Sequence, residues 1–178
     1  LEQALSRRRS QRQFARDNLT IGQVGQILWA TQGITSPQGF RTAPSAGATY
    51  PLDIYVLWSG RAARYDSSRH RLDIVYDQDR QPQVAETTIQ PEIILAAPVV
   101  FIIVGVYERT AGRYGRERAG RYVCMEAGHA AQNLLLQASA LGLGGVTIGA
   151  FDDERLSTAM ELPLGHSPLY VIPIGRPA

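Results

Sequence analysis

Pro44-Ser45-Ala46-Gly47-Ala48-Thr49-Tyr50-Pro51 runs directly into Leu52-Asp53-Ile54-Tyr55-Val56-Leu57. A loop of small residues, closed by proline, passes without a spacer into an alternating strand. Small side chains leave backbone N–H groups open and let a flat ligand approach closely. Pro44 and Pro51 lower the entropy of such a loop. Loops before strands are also Gly/Pro-rich for turn reasons alone, so the stretch marks a candidate ligand site that needs support from the rest of the chain.

Upstream, Thr35 to Tyr50 reads as one polar loop of about 16 residues, longer than most structural connections. Thr20 is placed as an N-cap, with Ile21, Val24, Ile27 and Leu28 on one helical face and Gly33 as the C′ residue. Leu1 to Arg9 reads as a short helix. It leads into Arg7-Arg8-Arg9-Ser10-Gln11-Arg12-Gln13-Phe14-Ala15-Arg16, five arginines in ten residues. A solvated charge run and an anion cradle both fit that cluster.

Downstream, Leu52 to Trp58 alternates as a strand. Ala63 to Tyr65 and Arg71 to Tyr76 read as two more, turned by Asp66-Ser67-Ser68-Arg69. Gln78 to Gln83 reads as polar loop, and Val84 to Leu95 as helix around Pro91, which suits an N1 position. Val99 to Val106 is apolar on both faces and reads as a central strand. Ala111 to Gly120 is read as an Arg/Gly-rich loop, either a mobile lid or plain surface. Arg121 to Leu141 is the longest predicted helix, rich in alanine and suited to close helix–helix approach. Within it, His129 fits a structural hydrogen-bonding role better than a catalytic one and has no companion at metal-ligand spacing. Gly142 ends that helix, a strand is expected to follow up to Gly149, Asp152 caps a short helix through Leu162, and Leu169 to Ile174 is the last strand.

With 178 residues, 44% hydrophobic and 19% charged, the chain fits one globular domain over 1–178. No apolar run reaches the ~18 residues of a membrane span. The only cysteine is Cys124, which excludes an internal disulfide and a Cys-based metal site. All 18 basic residues are arginine, which excludes Schiff-base chemistry on lysine and suits bidentate binding of phosphate. The net charge of +2 is too balanced to favour a nucleic-acid partner. Lacking a recognisable targeting segment and carrying one free cysteine, the chain is expected in the cytoplasm.

Four segments fall in one order: Arg8-Arg9-Ser10-x-Arg12-x-Phe14; Pro44-Ser45-Ala46-Gly47-Ala48; Glu126-Ala127-Gly128-His129-Ala130-Ala131-Gln132-Asn133-Leu134 with Ala140-Leu141-Gly142-Leu143-Gly144; and Pro173-Ile174-Gly175-Arg176-Pro177. Together they resemble the nitroreductase family of FMN enzymes, and most of all its SagB-type branch, the dehydrogenases of thiazole/oxazole-modified peptide synthesis. The resemblance covers nearly the whole chain. It implies an α+β fold with a central, mainly antiparallel sheet flanked by helices, and an intertwined homodimer with FMN sites built from both subunits. On that analogy Arg8, Arg9 and Ser10 reach the FMN phosphate and ribityl chain, and Arg176 completes the clamp. Arg12 lies at the pyrimidine edge and steadies the reduced, anionic flavin. Pro44, Ser45 and Gly47 approach from the partner, and Thr147, Ile148 and Gly149 run along the ring near N5.

The implied activity is hydride transfer through FMN, with NAD(P)H as donor and a nitroaromatic, quinone or unknown small molecule as acceptor. A SagB-like azoline dehydrogenase acting on a peptide with a cyclase is the alternative, and a non-catalytic flavin-binding protein a third. Where SagB-type enzymes carry Lys-Tyr, this chain has Arg121-Tyr122. Arginine does not serve as a base, so Tyr122 alone remains as an acid/base candidate.

Overall fold

The fold is organised by Val99–Val106, the most completely buried strand. Its β-branched and aromatic residues alternate between two separate cores: Val99, Phe101 and Ile103 face one, while Val100, Ile102 and Val104 face the other. A strand apolar on both faces needs cover on both, and helices supply it.

The computed structural model describes residues 1–178. The strands are β1 (Leu52–Trp58), β2 (Arg61–Asp66), β3 (Arg71–Tyr76), β4 (Val99–Val106), β5 (Gly144–Gly145) and β6 (His166–Gly175). They form one six-stranded sheet in the order β3-β2-β1-β4-β6-β5, with every neighbouring pair antiparallel. The helices are α1 (Glu2–Arg7), α2 (Ile21–Gln32), α3 (Gln81–Ala85), α4 (Pro91–Ala96), α5 (Tyr107–Tyr114), α6 (Arg116–Ala140) and α7 (Asp153–Ala159). On one face of the sheet, α2 and α6 cover the first core with Val24, Ile27, Leu28, Val123, Ala127, Ala130 and Leu134. On the other, Val84, Ile93, Ile94, Leu156 and Met160 of the α3, α4 and α7 region cover the second. The expected α+β fold with an antiparallel sheet flanked by helices is the one observed.

Local chemistry accounts for most boundaries. Thr20 caps α2 in a reciprocal box: its hydroxyl accepts from the Gln23 N–H, and the Gln23 side chain accepts from the Thr20 N–H. Gly33 follows α2 with extended backbone (φ −65°) and not as a left-handed C′ residue. Its glycine is required because a Cβ would overlap Trp29. Asp152 caps α7, and Pro91 stands at the start of α4.

Five further expectations are corrected. Ala111 to Gly120 is helix, not loop: α5 and α6 are separated only by Gly115 at φ +80°. Gly112 and Gly120 have open space where a Cβ would sit, so they are tolerated on free helix surface and do not break it. The helix expected from Val84 is two, α3, which starts at Gln81 within the predicted polar loop, and α4, which starts at Pro91, and α7 ends at Ala159 and not at Leu162. The strand expected after Gly142 shrinks to Gly144–Gly145 plus an isolated bridge from Ile148 to Val171. Finally, β6 begins at His166, three residues before Leu169. Leu169 is an extra residue between Tyr170 and Pro168, which pair with Ile103 and Val104, and this bulge admits Pro168 into the strand.

Candidate functional site

Beyond Arg7, the last residue of α1, the arginine-rich arm is not helical. It runs instead as extended chain along the β5–β6 edge, where Ser10 bridges Gly145 and Phe14 bridges Pro177. The Gln11 N–H donates to the Gly145 carbonyl at 3.0 Å, and the Ala15 N–H donates to the Arg176 carbonyl at 2.9 Å. Both glycines of β5 are dictated by this packing. A Cβ on Gly144 would overlap the Gln11 side chain, and one on Gly145 would overlap Ile174 and the Pro173 carbonyl oxygen. The arm and the chain's C-terminal residues are thereby brought to one place.

Between them lies a cavity of about 200 Å³ lined by Arg7, Arg8, Arg9, Gln11, Ser139 and the Gly142–Gly145 turn. No carboxylate lines it, and none of Arg7, Arg8, Arg9 or Arg12 makes an ion pair. Arg9 folds back on the carbonyls of Ser6 and Arg8 at 3.0 and 2.8 Å. Arg12 is exposed and does not line the cavity. Clustered guanidinium groups without counter-charge raise the local potential and favour an oxyanion. Arg176 is adjacent in the backbone, but its guanidinium rests on Asp17 at 3.2 Å, with both side chains more than half exposed.

The second group of predicted residues lies elsewhere. Ser45 accepts the Tyr50 N–H at 2.9 Å and so closes the 44–50 loop on itself. Gly47, at φ +58°, sits against α5: a Cβ there would come within 2.6–2.7 Å of Arg113 and the Tyr114 hydroxyl. Tyr114 in turn meets Tyr122 edge-on, ring centroids 5.0 Å apart. Ser45, Gly47 and Tyr122 are thus neighbours, with Pro44 exposed at the loop's start. Ile148 is buried in the second core, and its backbone N–H and carbonyl both pair with Val171, at 2.9 and 3.0 Å, while Gly149 is exposed.

The two groups do not meet within one chain. Glu126 anchors the 44–50 loop side of α6, and Ser139 lines the arginine cavity. Thirteen residues of helix separate them, about 20 Å of rise.

Sequence reasoning missed what holds the loop. Glu126 is 2% exposed on the apolar face of α6, in line with Val123 and Ala130. Gln32 donates to it at 3.4 Å and accepts from Arg41 at 2.9 Å. Burial pushes the Glu126 carboxyl above its ordinary pKa, while hydrogen bonds from Ser45 and Gln32 and the Arg41 and His129 charges oppose that shift. The visible signal was a lone acid at the i+3/i+4 spacing of an otherwise apolar helix face. His129 itself is exposed and makes no side-chain hydrogen bond. No group of three or more His, Cys, Asp or Glu side chains converges on a metal site, and no helix is long and apolar enough to cross a membrane.

The chain is an α+β protein, a helix-covered antiparallel sheet with a carboxylate-free arginine cavity at its edge. Residues 5–176 match the model of the nitroreductase family. The chain is 40% identical, over 99% of its own length and 90% of the relative's, to a Methanocaldococcus jannaschii protein named as a nitroreductase. The chain belongs to the nitroreductase family and is an oxidoreductase of that family. A crystal structure described as a nitroreductase of Ralstonia eutropha JMP134 superposes with a TM-score of 0.90 at 28% identity, covering 99% of this chain and 82% of that one. A chain of the E. coli microcin synthetase McbBCD complex, with truncated pro-MccB17 bound, superposes with a TM-score of 0.85 over 97% of this chain and 70% of that one. At 22% identity that likeness shows the fold alone.

Proposed function

We propose that this protein is an FMN-dependent oxidoreductase working as a homodimer, with NAD(P)H as donor and a nitroaromatic, a quinone or a related small molecule as acceptor. The observation that carries this reading is the arginine cavity, which holds Arg7, Arg8 and Arg9 with no acid among its lining residues. That donor set fits a phosphate dianion. Its volume, about 200 Å³, is below the ~300–1,000 Å³ of ordinary small-molecule pockets. One chain therefore offers room for a phosphate and its nearest carbons, and a flavin ring needs further walls. The 44–50 loop of a second copy supplies them in this reading, which agrees with its distance from the arm in one chain.

FMN, when bound, supplies two-electron chemistry at N5. The protein's own residues bind, orient and screen. Arg8, Arg9 and Ser10 hold the phosphate end. Arg176 joins them by leaving Asp17, an exposed pair worth at most about 1 kcal/mol. Arg12 places fixed positive charge where negative charge builds on reduction. Thr147, Ile148 and Gly149 would line the ring, with the Ile148 backbone held in place by Val171, and Pro44, Ser45 and Gly47 would act from the partner. The test is turnover: protein loaded with FMN is expected to oxidise NADH or NADPH in the presence of a nitroaromatic or quinone. Full loading with no turnover on any donor would instead mark a non-catalytic flavin-binding protein.

A second reading, azoline oxidation on a peptide held by a cyclase, follows from the resemblance of the motifs to the SagB-type branch, and a chain of the peptide-bound microcin synthetase shares the fold. Arg121 in place of a basic lysine weakens it, leaving Tyr122 as the acid/base.

A further inference from the structure

A second cavity, of about 590 Å³, lies away from the arginine arm, between the Tyr50 end of the loop, strands β1–β3 and α5. It shares no lining residue with the first. Leu52 and Ile54 form an apolar part of its wall, and four guanidinium groups, Arg41, Arg64, Arg69 and Arg109, line it with three carboxylates, Asp53, Asp66 and Asp73. Three of these arginines have a carboxylate. Arg109 grips Asp53 with both terminal nitrogens at 2.8 and 3.3 Å, Arg64 stands 4.0 Å from the same group, and Arg69 stands 3.5 Å from Asp66.

Arg41 has none. One terminal nitrogen donates to the neutral Gln32 amide, the guanidinium carbon lies 4.5 Å over the Tyr50 ring, and the buried Nε has no partner. Burial pulls its pKa down, the Glu126 and Tyr50 charges oppose that shift, and the smaller Arg109 and Asp53 effects work in opposite directions. A buried donor nitrogen without an acceptor is costly, and the Arg41 Nε is such a group. Asp53 does not fill that role, because Arg109, Arg64 and His166 already surround it, the last at 3.4 Å.

We propose that this cavity is a second anion site, which takes the carboxylate or phosphate of a small organic molecule on Arg41 and Arg109, with its apolar body against Leu52 and Tyr50. The volume suits such a molecule, and guanidinium forks match either oxyanion. Tyr50 connects the site to the loop, so occupancy stiffens the segment that Ser45 closes.

The experiment is titration calorimetry of the purified protein, saturated with FMN so that any site at the arm is filled, with benzoate and with phenyl phosphate as probes. One saturable site per chain is expected for at least one probe, and the tighter of the two names the oxyanion. Arg41→Gln is expected to weaken binding by at least about tenfold, the loss of one charge-assisted hydrogen bond. Arg64→Gln, a half-exposed position that leaves the fold intact, is expected to weaken it as well, by leaving Asp53 less compensated. Arg155→Gln, on α7, is expected to change nothing. If Arg41→Gln does not fold, Arg64→Gln and a crystal soaked with the tighter probe decide. No saturable binding, wild-type binding in Arg64→Gln, or density away from Arg41 would each overturn the proposal.

Discussion

Gly145→Ala tests the link between sheet packing and the arginine arm. The new methyl would stand closer to the Pro173 carbonyl oxygen and the Ile174 side chain than real Cβ atoms come. Ile174 can turn, at the expense of its place in the first core. The carbonyl cannot, because β6 is fixed by pairing with β4 across Val99 to Val106. The strain therefore falls on β5, whose Gly145 pairs with Ile174 and whose carbonyl accepts the Gln11 N–H. Overpacking of this kind costs about 1–3 kcal/mol. For a chain of this length that is a loss of roughly 2–12 °C in Tm. The assay is thermal unfolding by circular dichroism, paired with hydrogen exchange over residues 8–15. Faster exchange at Gln11 and Ala15 is expected, since their amides are the arm's anchors. Gly112→Ala is the control: it is exposed on α5 with open space at its Cβ, and helix propensity predicts a gain of about 0.5–1 kcal/mol. A wild-type Tm and unchanged exchange in Gly145→Ala would refute the view that β5 positions the arm.

Arg8→Gln is expected to weaken FMN binding about 10- to 150-fold, the range of one charge-assisted hydrogen bond, and quenching of flavin fluorescence measures it. Asp17→Asn frees Arg176 from its exposed pair and is expected to tighten FMN up to about fivefold. Glu126→Gln addresses pH. The folded-state pKa of Glu126 is raised by burial, so its contribution to stability is fully present below the unfolded value and is lost as pH rises through the folded one. Wild-type Tm is expected to fall relative to Glu126→Gln between pH 4 and pH 8, and a constant difference would contradict the burial argument. Tyr122→Phe keeps the ring that packs on Tyr114 and is expected to leave stability within about 0.5 kcal/mol of wild type. NAD(P)H-driven turnover should survive it, whereas a loss of roughly 10²–10⁴ in azoline oxidation is expected if its hydroxyl transfers a proton there.

The sheet was legible where burial writes a simple pattern. β4 shows it best, because two-sided burial leaves no polar position in seven residues from Val99 to Gly105. Thr20 and Asp152 announced their helices through capping chemistry that needs no tertiary partner. The 107–120 region was misread because its helix buries little: Thr110 and Ala119 are its only fully enclosed residues. With no apolar stripe, glycines that merely sit on open surface were taken for breakers. The site was half legible. Clustered arginines and a small-residue loop are local signals. Their separation along α6, the Asp17 grip on Arg176, and the Gln32–Glu126–Arg41 network depend on contacts between distant segments, which no local pattern records.

The central claim is that Arg8, Arg9 and Ser10 form the phosphate end of an FMN site. The most direct measurement is the visible spectrum of the purified protein, with the released chromophore identified by mass. The account predicts flavin absorbance, a released mass equal to that of FMN, and about one FMN per chain after reconstitution. A colourless protein that fails to bind added FMN would contradict it.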